Sequence, residues 1–157
     1  MKNRSLLGWL LVFVQLLIFL GFAVLPTREP DALATSLGMI LVAVGLIFLI
    51  WAFISLGNAL TANPVPLERA TLRTGGAFAL VRHPIYTGLL VGLLGFVILM
   101  GSWWTLAWWV VACGFFWSKS RWEDSMLQEK FGRDWNSWAI NTPALIPFTH
   151  FRRKSAP

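Results

Sequence analysis

The chain has 157 residues, enough for one domain, with 57% hydrophobic and only 13% charged residues. A soluble globule of this size would lack polar surface, so the composition points to a membrane protein. The net charge of +6 comes from basic residues that flank apolar runs and form no stripe. That pattern argues against a nucleic-acid partner and for anionic lipid headgroups.

Residues 6–25 form an apolar stretch interrupted by Gln15, glycines and aromatics, long enough to span a bilayer as a helix. Lys2 and Arg4 precede it, and Ala32-Leu33-Ala34 resembles a cleavage site. A signal peptide is therefore the rival reading, set against it by a run longer than the usual apolar core. Pro26 and the polar segment Thr27 to Asp31 end this span. Residues 36–56 form a second span with no ionisable side chain.

A polar loop, residues 58–83, follows. Asn63-Pro64-Val65-Pro66 prevents regular helix, and Glu68, Arg69 and Arg73 call for water at the membrane surface. Pro84 suits the first position of a third helix, residues 84–100, which places His83 at its mouth and Tyr86 one turn inside. Gly88 and Gly92 within it permit close helix packing, and Gly88 could also leave room for a cofactor.

Gly101-Ser102 allows a tight turn into a fourth span, residues 103–118. Trp103, Trp104, Trp108 and Trp109 are expected at one headgroup belt, Trp117 and Trp122 at the other. Cys113, the single cysteine, reads as a small buried hydrophobe and excludes an intrachain disulfide and a cysteine metal cluster. No metal site is expected. Residues 119–157 read as an interfacial tail. Its helix carries Trp122, Leu127 and Phe131 on one face, Gly132 as a stop and Asp134 as a fresh N-cap.

These elements predict an all-α, polytopic integral membrane helical bundle of four spans plus a C-terminal interfacial helix. With the N-terminus inside, the only basic residue in the outside segments is Arg28. The positive-inside rule is satisfied, and both polar clusters fall on the cytoplasmic face. The inner membrane of a bacterium is the expected location. No span contains a charged residue, which weakens the reading of an ion-coupled transporter.

The sequence Arg82-His83-Pro84-Ile85-Tyr86-Thr87-Gly88 resembles the RHPxYxG signature of the isoprenylcysteine carboxyl methyltransferase and phospholipid methyltransferase superfamily. Glu123-Asp124, Leu127, Phe131-Gly132, Trp135, Trp138 and Ile146-Pro147 are similar to its acidic and aromatic tail. Asn63-Pro64 and Gly75-Gly76-Ala77-Phe78 are similar to its approach loop. The resemblance implies a membrane methyltransferase that uses S-adenosylmethionine. It implies cofactor contacts from His83, Tyr86, Gly88, Glu123 and Asp124. His83 would bond the cofactor's carboxylate or ribose, and Glu123 its ammonium. Glu123 and Arg121 are the expected catalytic residues. Arg121 would orient an anionic acceptor or else anchor the helix at the interface.

Methyl transfer is a direct displacement that needs alignment more than a protein nucleophile. The absence of a Ser-His-Asp or Cys-His arrangement is therefore no objection, and the resemblance implies a fold without a Rossmann domain, in keeping with the missing glycine-rich nucleotide fingerprint. Two departures from the family pattern, Asp124 for glutamate and Trp135 and Trp138 for tyrosines, leave the acceptor open. A lipophilic small molecule or a lipid-modified substrate is expected, with a prenylated cysteine carboxylate as the family's example. A thiol, amine or phenol acceptor is also open. The alternatives are an NADPH-dependent membrane reductase of the sterol-reductase type and a non-enzymatic helix-bundle scaffold or transporter.

Overall fold

Two long apolar helices set the framework. The computed structural model describes residues 2–57, 65, 71–147 and 149. Helix α1 is Lys2–Val24 and α2 is Ala32–Leu56. Both are long and apolar enough to cross a membrane. Helix α3, Pro84–Met100, is a shorter apolar helix. Helix α4 runs unbroken from Trp103 to Phe131, and α5 is Arg133–Ala139. Among the described residues there is no strand. Asn63-Pro64, Glu68, Arg69 and the basic tail Arg152-Arg153-Lys154 lie outside the described residues.

The ends follow local chemistry. Helix α2 begins four residues before the expected Ser36, because Asp31 caps it, accepting the N–H of Ala34 at 2.7 Å. Thr35 and Ser36 turn their hydroxyls back to the carbonyls of Asp31 and Ala32, so they do not break the helix. Gly101, at φ +60°, ends α3 in the left-handed conformation that glycine favours. The adjoining Met100 carbonyl accepts the Arg28 N–H at 2.7 Å. The α1–α2 and α3–α4 connections therefore meet at one end of the bundle. Gly132 stops α4 as expected. Asp134 is not the N-cap of α5: Gly132 is, and Asp134 sits in the first turn, where the helix dipole still favours its charge.

Glycines decide how α2 and α3 pack. The two helices run antiparallel, with Gly38 against Gly95 and Gly45 against Gly88 and Gly92. A Cβ on Gly95 would lie 2.6 Å from the Gly38 carbonyl oxygen, and one on Gly45 would meet the Gly92 backbone. In an apolar solvent such close approach supplies the packing that water exclusion supplies elsewhere.

Helix α4 packs antiparallel to α1. Arg4 pairs with Glu129, Lys119 with Gln15, and the Trp108 indole with the Ile18 carbonyl. Trp103 and Trp104 are exposed. Trp108 and Trp109 instead turn inward and donate to the carbonyls of Ile18 and Leu90, at 2.8 and 2.9 Å. The Trp108 ring fills the notch left by Gly21. Residues 119–131, expected as an interfacial segment, are the second half of α4 and run beside the first half of α1. Without a proline between Trp103 and Phe131, nothing interrupts the ladder.

Candidate functional site

The site forms where α3 begins. The N–H groups of Arg82 and His83 donate to the carbonyls of Pro143 and Ala144 at 2.8 and 3.0 Å. Thr87 Oγ1 donates to the Leu145 carbonyl at 2.6 Å. The segment after α5 is thus tied across the mouth of α3. Pro84 starts that helix with its preset φ. His83 is the N-cap residue, yet its ring makes no capping bond and reaches across to α4.

Helix α4 answers with two adjacent carboxylates. Asp124 Oδ1 lies 2.9 Å from His83 Nε2, and its Oδ2 accepts from Arg82 Nη2 at 2.9 Å. Glu123 Oε2 accepts the Tyr86 hydroxyl at 2.9 Å and lies 3.4 Å from His83 Nδ1. Tyr86 stacks on His83 with ring centroids 5.5 Å apart and planes 6° from parallel. One histidine therefore bridges both carboxylates. Arg82 also caps the chain after α5, where its Nη1 donates to the carbonyls of Ala139 and Thr142 at 3.0 and 3.1 Å.

Burial by itself would lower the basicity of His83. The hydrogen bonds to Asp124 and Glu123, with their charges, overcome that and raise it from 6.5 to about 9. At neutral pH the ring is an imidazolium that can donate from both nitrogens. Arg82, His83 and the buried Lys119 face Glu123 and Asp124, leaving an excess of one positive charge. Two donors in this region, Arg82 Nε and Trp135 Nε1, are buried with no acceptor among the described residues. The Arg82 guanidinium carbon lies 5.5 Å from the centre of the Trp135 ring.

The structure brings His83, Tyr86, Glu123 and Asp124 together from two segments about 40 residues apart. It places Gly88 differently. A Cβ there would lie 3.0 Å from the Leu49 backbone nitrogen and 3.1 Å from the Gly45 carbonyl oxygen, so α2 fills the room expected for a cofactor. Arg121 is exposed on α4, outside the network. Sequence reasoning quoted Arg82 within the motif but gave it no role. Sequence reasoning gives Lys119 no role, although Gln15, the lone polar residue of its span, marks a place for a buried partner.

Three plant proteins are similar over most of the chain. Two, from Oryza sativa subsp. indica and subsp. japonica, are named probable protein-S-isoprenylcysteine O-methyltransferase. Each is 26% identical over 152 residues, covering 88% of this chain and 79% of the relative. Protein-S-isoprenylcysteine O-methyltransferase B of Arabidopsis thaliana is 28% identical over 120 residues, covering 74% of this chain and 60% of its own. The phospholipid methyltransferase family matches residues 33–134, from the first turn of α2 through the acidic pair and into α5. With both halves of its polar network inside that segment, the chain belongs to the phospholipid methyltransferase family and is a methyltransferase of the isoprenylcysteine and phospholipid type.

Proposed function

We propose that this methyltransferase uses S-adenosylmethionine to methylate a lipophilic acceptor, and that the carboxylate of an isoprenylated cysteine is the leading candidate. The observation that carries the reading is the network joining His83 and Tyr86 of α3 to Glu123 and Asp124 of α4. Two motif halves that are distant in sequence make one polar centre in an apolar bundle. Such a centre suits a water-soluble cofactor meeting a lipid-soluble acceptor. The names of the plant relatives support the acceptor.

The residues present fit the cofactor. Its amino acid end carries an ammonium and a carboxylate, and its ribose carries hydroxyls. Glu123 retains acceptor capacity for the ammonium. The unpartnered N–H groups of Arg82 and Trp135 suit a carboxylate or hydroxyl oxygen. Bound there, S-adenosylmethionine would supply a methyl group activated by its sulfonium. The protein's part is to hold and align. Glu123 fixes the ammonium end, with its own position set by Tyr86 and His83. Asp124 holds Arg82 and His83 in register, so that the donors face the ligand before it arrives. A deprotonated acceptor carboxylate is already nucleophilic, and no protein base is required. Arg121, exposed on the same helix, is available to an acceptor's anionic group or to a lipid headgroup.

In this reading the chain spans the membrane four times, over residues 6–25, 36–56, 84–100 and 103–118. Both termini lie on the cytoplasmic side and the centre is recessed from that side into the bundle, a placing that the distribution of basic residues supports. The pairing of Lys119 with Gln15 puts the centre level with the middle of α1. That is roughly 16 Å along the helix from Arg4, at 1.5 Å per residue.

Calorimetric titration of detergent-purified protein with S-adenosylhomocysteine tests the cofactor. The wild type should bind, and His83→Ala and Glu123→Gln should each weaken binding about tenfold or more, the loss of one charge-assisted hydrogen bond. Folded protein that shows neither heat nor thermal stabilisation would refute the reading, and NADPH would then be the ligand to titrate.

A further inference from the structure

A second chain of contacts leaves the site toward α1. The family match begins at residue 33, so α1 lies outside it. Gln15 is the one polar side chain in the apolar run of α1, and the structure gives it a partner: Lys119 Nζ donates to Gln15 Oε1 at 2.6 Å. Lys119 is only 4% exposed. A buried ammonium carries three donors and needs compensation for its lost water. Neutral Gln15 accepts one of them. The remaining compensation comes from the site itself. Nζ lies 5.2 Å from the centre of the Tyr86 ring and 5.9 Å from that of Phe115. Glu123, one helical turn along α4, acts on it by charge.

We propose that Lys119, held by Gln15, is a positioning residue of the methyl-transfer site, and that through this pair α1 becomes a working part of it. The inference rests on the reading that Glu123 holds the ammonium of S-adenosylmethionine. A cation near an aromatic ring is attracted to the ring's negative face, so Lys119 restrains the Tyr86 ring that stacks on His83. Its charge also attracts the Glu123 carboxylate, the group to which Tyr86 donates. The groups that face Lys119 are Gln15 from α1, Tyr86 from α3, and Phe115 and Glu123 from α4. The pair is not needed to dock α1 on α4, because Arg4–Glu129 and the Trp108 bond to Ile18 already join those helices. A lone lysine in an apolar interface, costly to bury, therefore has its compensation in the site it borders.

Tyr86 is the only tyrosine in the chain. Full-length protein carrying tyrosine labelled with carbon-13 at Cζ thus gives one ring signal, with or without ligand. That signal is compared in the wild type, Lys119→Met, Lys119→Arg and Gln15→Leu, and each protein is then titrated with S-adenosylhomocysteine. Lys119→Met should move the signal and weaken binding about tenfold, and Lys119→Arg should restore most of both. Gln15→Leu, which keeps the charge but frees the ammonium, should move the signal in the same direction with about a threefold loss. A Tyr86 signal that stays put in both Lys119→Met and Gln15→Leu would overturn the proposal. So would wild-type affinity in Gln15→Leu, the milder variant that decides the matter if Lys119→Met does not fold. A wild type that fails to bind S-adenosylhomocysteine would refute the cofactor reading instead. A signal that moves in the variants would then still assign Lys119 the placing of Tyr86.

Discussion

Replacing Asp124 with asparagine tests whether the site is an electrostatic network or a set of incidental contacts. The change keeps the shape and removes the charge that holds His83 and Arg82, each at 2.9 Å. In the folded protein His83 is buried and titrates at about 9, against 6.5 for the free side chain. A difference of 2.5 pH units, at 1.36 kcal/mol each, corresponds to about 3 kcal/mol. The folded pKa is the higher one, so the folded state binds this proton more tightly. The stabilisation is fully present below pH 6.5 and is lost as pH rises through 9. Between those limits the wild type should therefore lose about 3 kcal/mol of stability from this group. Asp124→Asn removes the strongest of the interactions that raise His83, the others being with Glu123. At pH 6.5 the variant should be less stable by roughly 3 kcal/mol, in the range for losing one partner of a buried charged pair. The gap between the two stability curves should narrow toward pH 9, leaving only the pH-independent offset from the lost Arg82–Asp124 pair. Reversible denaturation in detergent micelles from pH 6 to 9.5 measures this. Histidine NMR in a His150→Gln background leaves His83 as the single signal, since the chain has two histidines. Parallel curves, or a wild-type His83 that titrates near 6.5, would refute the reasoning.

Gly95→Ala should destabilise the protein by about 2 kcal/mol, because its Cβ would lie 2.6 Å from two backbone atoms of α2, the Gly38 carbonyl oxygen and the Val42 nitrogen. The same denaturation assay checks it, and Gly114→Ala, where a Cβ meets open space, is the control. Arg121→Ala should leave S-adenosylhomocysteine binding within about twofold and stability within about 0.5 kcal/mol, as expected for an exposed side chain outside the network. A large loss of binding in that titration would bring Arg121 back into the cofactor site.

Composition and the long apolar runs determined the membrane class and the all-helical fold, because an apolar solvent leaves a spanning backbone few ways to satisfy itself. Pro84, Gly101 and Gly132 marked helix ends that the structure reproduces, since each acts through its own backbone geometry. Asp31 moved the start of α2 by a local cap that hydropathy does not register. The motif residues His83, Tyr86, Glu123 and Asp124 were legible as two clusters. Their union required α3 and α4 to fold back on each other. Tertiary structure alone decided which way the side chains of α4 face. Positions three apart on a helix point only about 60° from one another, yet Asp124 enters the network while Arg121 stays in the open. A largely apolar helix carries little polar contrast along its sequence to signal its inner face. Gly88 faces α2, Trp108 and Trp109 turn into the bundle, and Lys119 finds Gln15 for the same reason. Each orientation is set by the helix it packs against, and sequence spacing specifies intervals along a helix without specifying that neighbour.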